Sequence, residues 1–196
     1  MDLFMAKQPA SSPRSQKGHS PLSTERLVTL ALFAAILCIA SYISIPLPLP
    51  GAPHITMLNF VIILIPLLFS ASESFLVVLV WMILGIVGLP VFIGARAGIG
   101  YLIAPWGGYT LSYPLAVLLI AILRGRGYNR LRYTAAAAGG ALFIDLIGML
   151  WLMSMNHLDL KTAFLTGFAV FLPLDLLKAA AAAQIVPAFR KVIRGV

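Results

Sequence analysis

Asp145, Asp175 and Lys178 are the residues with the most chemistry to offer, because each falls inside a long apolar stretch. Asp145 sits at the centre of FIDLIGMLWL, and Asp175 and Lys178 occur in PLDLLKAAAAA. A charged side chain at the centre of a membrane helix costs roughly 2.5–3.5 kcal/mol, so all three must face the bundle interior and find partners. Asp175 and Lys178 are three apart on one helix face, close enough to pair. That pair either neutralises itself or serves a ligand, and intramembrane charge marks function by default. Asp145 either carries a proton or bonds to a neighbouring helix. A further feature is the stretch 85–113, GIVGLPVFIGARAGIGYLIAPWGGYTLSY. Its glycines and prolines permit tight, irregular backbone. In a membrane protein such backbone survives only where it is buried in protein or lines a cavity. Arg96, alone in that stretch, is either a hook for an anionic solute or part of a wet connector.

The elements that must position these residues are membrane spans. The chain has 196 residues, 61% hydrophobic and 10% charged, with a mean hydropathy of +0.99. Soluble domains carry about 25% charged residues, so this is an integral membrane protein. The net charge of +8 does not indicate nucleic acid, because the cations gather at segment ends. Residues 1–22 read as a disordered cytoplasmic tail and 23–196 as one transmembrane domain. Six apolar segments follow, at residues 27–45, 55–71, 75–92, 108–123, 135–155 and 163–189. Lys7, Arg14, Lys17 and Arg26 precede the first, Arg124, Arg126, Arg130 and Arg132 follow the fourth, and Arg190, Lys191 and Arg194 follow or end the sixth. Connectors of the opposite side hold only Arg96 and Lys161. The excess of cations on one side predicts six transmembrane helices with both termini cytoplasmic and the 85–113 loop external. The whole is an all-α, multi-pass protein of the cell membrane.

Other chemistries lack their motifs. There is no G-x-x-x-x-G-K-[ST] loop for ATP hydrolysis, no H-E-x-x-H among His19, His54 and His157, and no G-x-S-x-G. Cys38 alone forms neither an intrachain disulfide nor a cysteine metal site, and reads as a small packing residue. No metal site and no cofactor are expected. On the first span, Ala31 and Ala35 are four apart, a spacing that lets another helix approach closely.

The motifs Gly88-Leu-Pro-Val-Phe92, Gly98-Ile-Gly-Tyr-Leu102, Pro105-Trp-Gly-Gly-Tyr109 and Pro173-Leu-Asp-Leu-Leu-Lys178 resemble, in order and spacing, those of the BioY family. The likeness covers roughly residues 25–190. These are the biotin-binding S components of energy-coupling factor (ECF) transporters, so the resemblance implies a six-helix S-component bundle and no enzymatic activity. It implies biotin captured from outside and delivered inward by one transmembrane coupling subunit and two ATPase subunits, which spend the ATP. Ala31 and Ala35 match the pattern by which the first helix docks on the coupling subunit. In the pocket, Asp175 and Lys178 would make the polar contacts and Arg96 would hold the carboxylate. Trp81, Tyr101, Trp106 and Tyr109 would supply walls.

Four positions depart from the family pattern. Leu58 replaces a glutamine, with Asn59 next to it pointing elsewhere on a helix and kept as a candidate contact. Trp106 replaces a threonine, Asp145 a tyrosine and Leu174 a glycine. Two further readings therefore stand beside a biotin S component. One is an S component of the same architecture for another small metabolite. The other is a membrane-embedded enzyme using Asp145 and Asp175 as an acid pair, which requires the two carboxyls to come within hydrogen-bond distance.

Overall fold

Helix α2 (Leu58–Leu68) is apolar apart from Asn59 in its first turn, and the bundle assembles around it. Every residue from Val61 to Leu67 is buried, as expected of a helix stretch with no polar face. Around it pack α1 (Thr24–Ala40), α3 (Ala71–Ile86), α5 (Gly107–Arg124), α6 (Arg130–Asn156) and α8 (Leu172–Ile193). One-turn helix α4 (Ile99–Leu102) lies in the glycine-rich stretch, and α7 (Leu160–Phe164) runs through a π-helical turn, Leu165–Ala169, into α8. This is a computed structural model, describing residues 23–48 and 54–193. The expected tail, residues 1–22, and Arg194 lie outside the described residues.

Among the described residues, three helical stretches are long and apolar enough to cross a membrane: Gly107–Arg124, Arg130–Asn156 and Leu160–Val192. The other expected spans are shorter than read. The first was expected to reach residue 45, but α1 stops at Ala40, where the Ser41 hydroxyl donates to the Cys38 carbonyl. Alternating prolines at 46 and 48 favour extended backbone there. Strand β1 (Ser44–Pro46) instead pairs antiparallel with β2 (His54–Thr56), Ile45 opposite Ile55. The hairpin removes residues 55–57 from the second segment and corrects the all-helical reading. Helix α2 has 11 residues, about 16 Å at 1.5 Å per residue. Helix α3 ends at Ile86, and 87–98 is loop.

Two local devices hold the helices in register. Ser70 and Glu73 form a reciprocal capping box at the start of α3. The Arg26 guanidinium on α1 donates to both Glu73 oxygens, at 2.6 and 2.8 Å, joining α1 to α3. Between α5 and α6 the spacing is set by small residues. A Cβ added at Gly148 would lie 2.2 Å from the Tyr109 ring. Gly148→Val should therefore force the helices apart and lower stability by about 1–3 kcal/mol. Thermal unfolding in detergent checks this; an unchanged midpoint would show that Tyr109 can leave its place without cost.

Candidate functional site

Lys178 lies one turn after Asp175 on α8, and its ammonium donates to Asp175 Oδ1 at 2.7 Å and to the Thr56 carbonyl at 3.0 Å. The other carboxylate oxygen, Oδ2, accepts from the Asn59 amide at 2.8 Å. Asn59 Oδ1 in turn accepts from the Tyr113 hydroxyl at 2.8 Å. One chain of hydrogen bonds thus links α8, the hairpin, α2 and α5. Asp175 is 2% exposed and Asn59 8%, and each polar end is occupied, as burial demands. The expectation that Asn59 points elsewhere is corrected. It turns inward, whereas Leu58 is fully buried among apolar neighbours.

A cavity of about 60 Å³ lies beside this chain. His54, Thr56 and Asn59 line one side and Tyr101, Tyr109, Tyr113 and Phe171 the aromatic side, with Ile93, Arg96, Trp106 and Asp145 completing it. Tyr101 stacks on Phe92 at 4.7 Å, and Trp106 on Tyr109 at 5.9 Å. The π-helical turn breaks the regular ladder of the last helical stretch, and there the Gly167 carbonyl accepts from the Tyr109 hydroxyl. Arg96 is exposed at the mouth, in a loop closed by the Phe92–Arg96 bridge. Its neighbour Ala95 has φ 58°, a left-handed conformation uncommon for a residue with a Cβ.

Asp145 is the exception to the polar satisfaction around it. It is fully buried and lines the cavity, and neither of its oxygens has a hydrogen-bond partner among the described residues. It stands near enough to Asp175 and Lys178 to feel both charges. A buried carboxyl with both oxygens open is a group built to meet something else.

The sequence-derived candidates thus separate into layers. Asn59, Arg96, Tyr101, Trp106, Tyr109 and Asp145 line the cavity. Asp175 and Lys178 lie behind Asn59 and hold it. Trp81 is fully buried, its indole donating to the Val91 carbonyl at 3.1 Å, and it packs against Phe92 and Tyr113 as a second layer. Ala31 and Ala35 lie exposed on α1, far from this site in the chain and on the outer side of that helix. Sequence reasoning missed His54, Thr56, Ile93, Tyr113 and Phe171. The H-I-T run and the tyrosine after the P-W-G-G turn were visible, but nothing local showed that the hairpin folds over the bundle.

Comparison with known proteins now bears on the site. The BioY family profile matches residues 12–195. The chain belongs to the BioY family. It is 33% identical over 161 residues to a "Probable biotin transporter BioY" of Pyrococcus horikoshii, covering 82% of this chain and 93% of that protein. A "Biotin transporter BioY" of Thermotoga maritima is 30% identical over 166 residues, covering 85% and 96%. Among solved structures, the S-component for biotin from an ECF-type ABC transporter is similar with a TM-score of 0.75 at 25% identity, covering 84% of this chain and 90% of that one.

Two outcomes test this geometry. Asn59→Ala would leave Asp175 Oδ2 and the Tyr113 hydroxyl unpaired, at a cost of about 1–3 kcal/mol. Thermal unfolding should show that loss, and Asn59→Ala with Tyr113→Phe should recover part of it; equal loss in both would place the bond outside the stabilising network. The His54 imidazole has its pKa lowered by burial and by the Arg96 charge. The unfolded chain then binds more protons than the folded one as pH falls through the ordinary histidine range. Stability should decline on acidification below that range, and His54→Gln should remove the decline.

Proposed function

We propose that the chain is the membrane-embedded substrate-binding subunit of a biotin uptake transporter. In this reading it crosses the cell membrane six times, with both termini on the cytoplasmic side. It hands biotin to a transmembrane coupling subunit energised by two ATPases. The observation that carries the ligand reading is the buried carboxyl of Asp145, open on both oxygens, in an aromatic cavity beside Asn59, Thr56 and Tyr113. Biotin's ureido ring offers two N–H donors and one carbonyl acceptor. Asp145 accepts from one of the N–H groups, the second N–H of the Asn59 amide donates to the carbonyl, and the tyrosines and Phe171 enclose the apolar bicycle. Arg96 at the mouth takes the carboxylate of the side chain. Asp175 and Lys178 serve by fixing Asn59.

Family membership and the biotin named for the relatives support this reading. Arg26, Arg124 and Arg190 meet at one end of the bundle, around a single cavity, which supports the inside assignment of their segments. The acid-pair enzyme has no such support. The relatives bear transporter names.

The cavity is far smaller than the roughly 300–1,000 Å³ of a drug-sized ligand site. A second cavity, of about 480 Å³, lies against it and shares Arg96 and Trp106. Biotin therefore enters the outer space first, and Arg96 and Trp106 move aside to admit it to the inner one.

Calorimetry on the purified protein tests the assignment. Biotin should bind, and Asp145→Leu should weaken it about tenfold, the loss expected when a ligand N–H is buried without its partner. Arg96→Gln should weaken biotin but leave the biotin methyl ester unaffected. Binding of another vitamin with no response to biotin would instead make Leu58, Trp106, Asp145 and Leu174 the determinants of a different ligand. In cells, Ala31→Leu with Ala35→Leu should abolish uptake while the purified variant still binds. Loss of both together would remove Ala31 and Ala35 from the docking role.

A further inference from the structure

A cavity of about 560 Å³ lies where the start of α1, the α2–α3 turn, the end of α5 and the end of α8 meet. Among the described residues it is lined by four arginines, Arg26, Arg124, Arg126 and Arg190, together with Ser70, and by no acidic residue. The described carboxylate paired with the group is Glu73, held by Arg26 Nε and Nη2. Glu25 is exposed one residue before Arg26 and does not line the cavity.

Arg124 and Arg190 are held in place by the fold, whereas Arg126 is exposed. Arg124 donates through Nη1 to the Tyr133 hydroxyl at 2.9 Å and through Nη2 to the Phe69 carbonyl at 2.6 Å. Arg190 donates through Nη2 to the same hydroxyl at 2.6 Å and to the Leu67 carbonyl at 3.2 Å. Both guanidiniums pack against the Tyr133 ring, at 5.8 and 5.3 Å from its centroid. Two like charges drawn to one hydroxyl repel each other, and among the described residues no second carboxylate is paired with them. The Nε of Arg124 is buried without a partner among the described residues. Arg126, across Gly125, makes no hydrogen bond or ion pair there. Donors of fixed direction, an unmet buried N–H and uncompensated positive charge together specify an anion.

We propose that this cavity binds a phosphoryl group. A carboxylate offers two oxygens in one plane, whereas a phosphate offers oxygens in several directions to several guanidinium forks. The site also sits among helix ends, and basic pockets between membrane helices bind such groups. The source is therefore either the headgroup of an anionic phospholipid or soluble phosphate. The inference rests on the geometry of this end alone and does not depend on the identity of the transported ligand.

Native mass spectrometry of the full chain from neutral detergent, with phosphatidylglycerol, phosphatidylcholine or inorganic phosphate added, tests it. Retention of phosphatidylglycerol over phosphatidylcholine, competed by phosphate but not by chloride of equal ionic strength, assigns the lipid as the source. Retention of phosphate alone assigns the soluble anion. In either case Arg126→Gln, which breaks no contact of the fold, should weaken binding about fivefold, the worth of one basic contact near a membrane surface. Arg124→Lys, which keeps the charge and loses the fork, should weaken it as well. Binding of neither phosphatidylglycerol nor phosphate, or equal binding by wild type and Arg126→Gln, would overturn the proposal. Biotin binding in the same samples reads the other end of the bundle separately.

Discussion

The Asp175 carboxylate is the group around which the bundle has to be built. Within a membrane it cannot be left to lipid, and one partner is not enough for two oxygens. Lys178 on its own helix satisfies one and Asn59 on α2 the other, while the lysine also holds the Thr56 carbonyl. These bonds fix α8 against α2 and pin the hairpin over both. Tyr113 extends the chain to α5. Move any of the four elements and a buried polar group loses its partner.

The site follows from that constraint. With Asn59 held, the space beside it is bounded by aromatic rings, of which Tyr109 is tied to the backbone by its bond to Gly167. Outside the lining, Trp81 donates to Val91 and Trp151 to Ala104. Walls fixed in this way give a cavity a defined shape. Asp145 is then the polar group that the protein leaves open, in contrast to Asp175, which it closes completely. Two buried aspartates thus differ in their surroundings, Asp175 closed by partners and Asp145 lining the cavity.

The two ends of the bundle differ in the same physical terms. Around the smaller cavity, polar groups are matched to each other and one carboxyl is left over. Around the larger one, guanidiniums outnumber carboxylates and an N–H is left over. The glycine-rich loop with Arg96 lies at the first end and the clustered arginines of three separate segments at the second.

Composition and hydropathy alone determined that the chain is a helical membrane protein, because so few charges in so apolar a sequence admit no soluble fold. The same apolarity located the long fifth and sixth helical stretches and made Asp145, Asp175 and Lys178 conspicuous, and motif spacing pointed to the family. Apolarity could not show where the first three segments stop being helical. Residues 44–45 and 55–56 adjoin apolar segments and carry no charge, and only their pairing across the chain makes them strands. Nor could it tell Asp145 from Asp175, or Trp81 in the second layer from Tyr101 at the cavity. Those distinctions depend on which atoms from distant segments come within bonding distance. Asn59 and Asp175 are 116 residues apart, and only the tertiary structure decides that they meet.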